Sequence, residues 1–176
     1  MRIRAAREED LKACLQLDVS FETESVWQMV EEHAERAWGA HFREVRLPRK
    51  QRITHPLSPE ERLQAWLHRD GFWVAMERRK VLGYLALRLE LDQRQAHITD
   101  LGVATEFRRQ HFAEQLLQHA TEWCLRQPVE QLLFAFPPKA QPAIAFALAQ
   151  GFAFCGYQEA YWPGHHVGLF LRKRIR

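Results

Sequence analysis

The chain has 176 residues, 47% of them hydrophobic and 27% charged, which suits one well-buried core and is short for two. A disordered chain needs lower hydrophobicity and a larger charge imbalance than 25 Lys and Arg against 22 Asp and Glu, and a collagenous chain needs far more than 8 Gly and 8 Pro. A net charge of +3 is too small to single out a polyanionic partner.

Arg2-Ile3-Arg4-Ala5 alternates as a short strand does, and Arg7-Glu8-Glu9-Asp10 then sets acids where a helix start favours them, ahead of Leu11, Cys14, Leu15 and Leu17. Ser25 to Met29 and His41 to Leu47 are β-prone and predict a hairpin, followed by a polar connection from Pro48 to Pro59. Ser58-Pro59-Glu60-Glu61 is a helix start, with Ser as cap and Pro first, leading to Leu63, Trp66 and Leu67. Apolar runs at Phe72 to Met76, Val81 to Leu91 and Ala96 to Val103, parted by polar turns, predict an antiparallel meander. Phe112, Ala113, Leu116, Leu117, Ala120, Trp123 and Cys124 recur at helical intervals until Pro128. A buried strand from Gln131 to Phe136 follows, then a helix with Pro142 near its start and Gly151 past its end, then strands near Phe152 to Tyr161 and Val167 to Arg172. The order predicts an α/β (α+β) single domain over residues 1–176, a mixed and mostly antiparallel sheet with one β-α-β crossover and helices on both faces.

No stretch approaches the roughly 18 apolar residues of a membrane span, and Met1 to Asp10 carries charges where a signal peptide has an apolar run, so a cytoplasmic protein away from membranes is expected. Cys14, Cys124 and Cys155 are odd in number, widely spaced and set among apolar residues. They fit neither a disulfide framework nor a zinc site and read as three buried thiols. The basic tail Arg172-Lys173-Arg174-Ile175-Arg176 reads as a solvated chain end rather than a nucleic-acid contact.

Two segments carry a resemblance. Leu101-Gly102-Val103 leads into Arg108-Arg109-Gln110-His111-Phe112-Ala113, and Ala143-Ile144-Ala145-Phe146 is followed by Gly151-Phe152. In the order found here they resemble the GCN5-related N-acetyltransferase (GNAT) superfamily, whose strand, Arg/Gln-x-x-Gly-x-Gly/Ala turn and helix stand where Arg108 and Ala113 match and His111 replaces the first glycine. The second segment is similar to the family's Ala-Ile-x-Phe-Tyr-x-x-x-Gly-Phe, with Ala147 at the tyrosine and Ala140 where an asparagine is common. Ile98-Thr99-Asp100-Leu101-Gly102-Val103, Glu122-Trp123 and Gly156-Tyr157 are similar to streptothricin-type acetyltransferases.

The resemblance implies acetyl-CoA as cosubstrate, no metal, and an amine as acceptor. A pyrophosphate suits a helix N-terminus, where unpaired N–H groups and the helix dipole favour an anion, which assigns Arg108, Arg109, Gln110, His111, Phe112 and Ala113 to the cofactor. Small residues allow close approach there, so His111 either turns to solvent or donates to phosphate. The pantetheine arm is expected to pair with the backbone of Leu101, Gly102 and Val103, although Gly102 is also explained by a bulge without a ligand. Asp100 is the candidate base, acting directly or through water, or else an acid that fixes the sheet end or binds a cationic substrate. Ala147 offers no proton, so Tyr157 or Tyr161 is the candidate acid, with Cys155 a poorer one. The acceptor pocket falls to the early hairpin and late strands, where Glu22 and Glu24 can attract an amine and Trp27 and Trp162 can form a wall; surface and core roles compete with these. His165-His166 lacks a partner at metal-ligand spacing. A catalytically degenerate acyl-CoA-binding or assembly module on the same fold is the alternative, motivated by His111, Ala140 and Ala147, and a homodimer is open beside a monomer.

Overall fold

A computed structural model describes residues 2–176. The chain runs β1 (Arg2–Ala5), α1 (Glu8–Leu15), β2 (Phe21–Ala34), β3 (Ala37–Ile53), α2 (Pro59–Leu67), β4 (Gly71–Glu77), β5 (Lys80–Glu90), β6 (Gln95–Val103), α3 (Phe112–Cys124), β7 (Gln131–Phe136), α4 (Gln141–Ala149), β8 (Ala153–Trp162) and β9 (His166–Arg174). Seven strands form one sheet in the order β1-β4-β5-β6-β7-β9-β8. Only β6 and β7 are parallel, joined through α3 as the β-α-β crossover requires. The expected mixed, mostly antiparallel sheet is therefore present.

The sheet is covered on both sides. Against α3 and α4 lie Leu82, Leu85, Leu87, Ile98, Leu116, Leu132, Ile144 and Leu171. Against α1 and α2 lie Leu11, Cys14, Trp66, Phe72 and Tyr84. Each large apolar side chain so buried contributes about 1.5–3 kcal/mol. The cap of α2 forms as its residues dictate: the Ser58 side chain accepts from the Glu61 N–H at 3.2 Å and the Glu61 carboxylate accepts from the Ser58 N–H at 2.7 Å. No described helix is long and apolar enough to cross a membrane.

Two expectations need correction. The hairpin of β2 and β3 is longer than expected, and β3 runs through Pro48 to Ile53, so the polar connection starts only after Ile53. A two-stranded ribbon with both faces largely exposed does not need apolar alternation, which leaves charged pairs such as Glu22 opposite Arg52 to mark it. Pro48 falls at the register shift beside Thr23 and Ser25, where its missing N–H breaks no ladder. The second correction is Cys155, which is exposed, while Cys14 and Cys124 are buried as expected. Because β9 inserts between β7 and β8, β8 becomes the sheet edge and keeps Phe154, Cys155 and Tyr157 at the surface.

The site is positioned by one irregularity in the sheet. β6 pairs with β7 only from Gln95 to Ile98, and beyond Ile98 the two strands part. At the same place β6 bulges against β5: Ile98 faces Leu87 and Asp100 faces Ala86, leaving Thr99 as the extra residue.

Candidate active site

The turn from β6 into α3 arrives at the open end of that split. Arg109 and His111 take left-handed φ values of 58° and 63°, with Gln110 between them, and His111 is the N-cap of α3. Left-handed residues so placed in a turn can direct neighbouring N–H groups toward one side, as in an anion-binding nest. The backbone N–H groups from Arg109 to Ala113 hydrogen-bond to no described residue. Free donors, a converging backbone and the dipole of α3 together suit a pyrophosphate.

The left-handed conformation also explains the departure at His111. It is the conformation that calls for glycine, and His adopts it more readily than most side chains. The ring lies exposed and is held by the Glu114 carboxylate, 2.7 Å from Nδ1. Arg108 is less free than its motif match implies. Its Nε donates to the Val103 carbonyl at 3.2 Å, and Nη2 reaches the Asp18 carbonyl at 3.5 Å. Burial lowers its pKa, while Asp18 opposes that shift. Arg109 and Gln110 are exposed, Ala113 is half-buried, and Phe112 packs into the core.

On β6 itself, Leu101 and Val103 are half-buried and Gly102 is buried. A Cβ at Gly102 would lie 2.6 Å from the Tyr84 ring, so the glycine is already required by the protein's own packing.

Asp100 lies on the α2 side of the sheet, 7% exposed, and its carboxylate meets four side chains from three other segments. Trp66 Nε1 donates to Oδ2 at 3.2 Å, Arg62 Nε to Oδ2 at 3.4 Å and Tyr84 Oη to Oδ1 at 3.2 Å. His55 Nε2 stands 3.4 Å from Oδ1. The Leu57 N–H donates to His55 Nδ1 at 3.0 Å, which places the imidazole proton on Nε2, facing the carboxylate. Arg62 also donates to the Tyr84 hydroxyl. Burial, and then the Asp100 charge, push the Tyr84 phenol well above its ordinary pKa. His55, Arg62, Trp66 and Tyr84 escaped the sequence reading because no spacing links them; they meet only once α2 lies on β5 and β6.

The start of β2 spans the mouth of the split. Thr105 Oγ1, in the turn before α3, donates to the Asp18 carbonyl at 3.0 Å, and the Trp27 N–H donates to the Pro138 carbonyl, just past β7, at 3.0 Å. Glu22 and Glu24 are exposed on this stretch, Glu24 in an ion pair with Lys50 at 3.1 Å. Trp27 lines an apolar cavity of about 300 Å³ with Phe42, Ile144, Leu148, Phe154 and Leu171. Trp162 sits half-buried against Tyr161. The two candidate tyrosines are parted. Tyr157 packs on Phe42 of the hairpin, whereas Tyr161 packs on Phe170, which also faces His97 on the other side of the sheet. Burial, and then Glu90, raise the Tyr161 pKa. Among the described residues no group of His, Cys, Asp and Glu is arranged to hold a metal ion.

The acetyltransferase (GNAT) family profile matches residues 27–152. In fold the chain is similar to nourseothricin acetyltransferase, with a TM-score of 0.85 at 22% identity over 99% of this chain and 98% of that one. It is similar to a Bacillus anthracis protein assigned as a streptothricin acetyltransferase, solved with acetyl coenzyme A, with a TM-score of 0.75 at 15% identity over 98% of each chain. Against the ribosomal-protein-S18-alanine N-acetyltransferase of Escherichia coli the TM-score is 0.67 at 16% identity, over 99% of this chain and 93% of that one. No curated protein matches the sequence at a significant level. A family match running from the hairpin to the residue after Gly151, on a chain that shares its fold with acetyltransferases nearly end to end, makes this chain a member of the GNAT family of acetyl-CoA-dependent N-acetyltransferases.

Proposed function

We propose that the enzyme acetylates a primary amine of a small molecule, peptide or protein by direct attack within a ternary complex, and that the nest from Arg109 to Ala113 holds the cofactor's pyrophosphate. The free N–H groups of that nest carry the reading. Bound acetyl-CoA supplies an activated acyl group; the chain's own residues bind, orient and exclude water. Leu101, Gly102 and Val103 offer backbone groups to the pantetheine arm on the open side of β6. Of the two roles open to Asp100, its four polar partners support anchoring, because they occupy the carboxylate and tie it to α2, β5 and the segment before α2. Tyr161 is the better-placed candidate acid, since it shares a sheet face with His97 and Asp100.

The acceptor approaches over β2, where the exposed Glu22 and Glu24 favour a cationic amine and Trp27 and Trp162 provide apolar walls. Relatives named for nourseothricin and streptothricin make such antibiotics natural members of an acceptor panel, beside polyamines, aminoglycosides and peptides. A cytoplasmic location belongs to the same reading, supported by three thiols outside any disulfide.

Thermal unfolding with acetyl-CoA tests the cofactor site. Ligand at about 100 times its Kd adds about 2.7 kcal/mol of stability. Ala113→Glu, which sets a carboxylate in the nest yet suits the first turn of a helix, removes that increment while leaving the ligand-free midpoint nearly unchanged. No shift of the wild type at millimolar acetyl-CoA overturns the reading.

A further inference from the structure

The chain's excess of three positive charges is spread unevenly. Outside the nest, β1, the start of α1 and the turn from β4 into β5 enclose a cavity of about 790 Å³. Six cationic side chains line it, Arg2, Arg4, Arg7, Arg78, Arg79 and Lys80, against two carboxylates, Glu9 and Asp10. This one concavity therefore holds a larger positive excess than the whole chain. None of its lining residues belongs to the nest, to β6 or to α3.

The cations differ in how far they are already engaged. Arg4 is bound to Asp10 at 2.6 Å. Arg7 and Lys80 have only exposed pairs, with Glu9 at 3.4 Å and Glu106 at 3.0 Å, and such pairs contribute little. Arg2, Arg78 and Arg79 are exposed and make no ion pair among the described residues. Arg78 also takes a left-handed φ of 53° in a two-residue hairpin turn, a conformation that favours glycine, so a cation is kept where the backbone prefers none. Like charges gathered in a concave site disfavour the empty protein and favour an anion that enters. Guanidinium forks match phosphate oxygens two at a time, and a chain of phosphates meets several forks at once. Beneath the exposed cations the lining changes to Ala13, Leu17, Met76 and Val81, all half-buried or buried. A charged rim over an apolar floor, at a volume typical of small-ligand sites, fits phosphates joined to a flat apolar group.

We infer that this cavity is a second anion site and takes a nucleoside polyphosphate, its phosphates on Arg2, Arg7, Arg78, Arg79 and Lys80 and its base on Leu17, Met76 and Val81. The site is separate from the cofactor's and does not depend on where acetyl-CoA binds.

The probe is metal-free ATP, titrated by calorimetry at low salt into wild type, Arg78→Gly and Arg79→Glu, with adenosine as the control. Arg78→Gly suits the left-handed turn and Arg79→Glu lies at an exposed position, so neither should lower the unfolding midpoint. Each should weaken ATP binding by about tenfold or more, the loss of one charge-assisted hydrogen bond, while the thermal shift with acetyl-CoA stays as in wild type. Ala113→Glu should do the reverse, losing acetyl-CoA and retaining ATP. Adenosine should bind far more weakly than ATP. No ATP binding at millimolar concentration, or binding that neither arginine variant weakens, overturns the site. Adenosine binding as tight as that of ATP removes the role of the phosphates and overturns it too. Loss of ATP binding in Ala113→Glu places ATP in the nest, with the same consequence. Failure of the wild type to bind acetyl-CoA while it binds ATP overturns the cofactor reading and leaves this site standing.

Discussion

The two faces of the sheet are stabilised by different chemistry. Under α3 and α4 the buried side chains are apolar, with Leu85, Leu116, Leu132 and Leu171 nearly closed to solvent. On the opposite face the structure buries Asp10, Arg62, His97 and Asp100, with Arg62 and Asp100 against Trp66 and Tyr84 and with Asp10 bound by Arg4 at 2.6 and 2.9 Å. Apolar burial is non-directional and tolerates repacking, whereas every buried polar group demands its particular partner. The helices follow this division. α1 and α2 are 8 and 9 residues long and add the polar contacts of Asp10, Arg62 and Trp66 to their apolar ones, while the 13-residue α3 docks through an apolar stripe.

The contrast is broken most directly at Asp100. Asp100→Ala leaves the Arg62 guanidinium buried without a counter-charge and is expected to lower unfolding stability by about 3–5 kcal/mol in urea titrations. Asp100→Glu should cost nearly as much, since the four donors fit one carboxylate position; a mild effect would show that this face is as adaptable as the other. On the α3 side, Leu116→Ala should lose roughly 3 kcal/mol by the same measurement, and the volume-conserving Leu116→Met less than about 1.5 kcal/mol.

The smallest expected effect is at His97. Burial holds its imidazole pKa below the ordinary 6.5, with Glu90 partly opposing. The unfolded chain therefore binds the proton first on acidification. The contribution of His97 is complete above about pH 6.5 and is lost as pH falls below it toward the folded value. Urea midpoints at about pH 7.5 and about pH 5.5 should diverge in wild type and converge in His97→Phe.

What the sequence made legible follows from which interactions are local. Ser58 and Glu61 announce the start of α2 because a capping box spans adjacent residues. Arg108 to Ala113 stands out because its residues follow one another in a short motif, and the φ of 63° at His111 explains both why a glycine is expected there and why this histidine is tolerated. The anchors of Asp100 left no such trace. His55 precedes α2, Arg62 and Trp66 lie within it and Tyr84 is on β5, so the cluster exists only in three dimensions. The full length of β2 and β3 was hidden by their exposure, and Cys155 was misjudged because apolar neighbours suggest burial only where a strand is covered.

The strand order β7-β9-β8 also governs how the molecule is assembled during synthesis. β8 has no neighbour in the sheet except β9, which is made after it, so β8 emerges from the ribosome with nowhere to pair. β1 waits in the same way for β4, across the whole hairpin. The hairpin itself closes locally around Glu35 and Arg36 and can form early. Its Phe42 then offers a ready surface to Phe154 and Tyr157. Beyond spanning the mouth of the split, the hairpin thus packs an aromatic side chain onto the strand that has no sheet neighbour except β9.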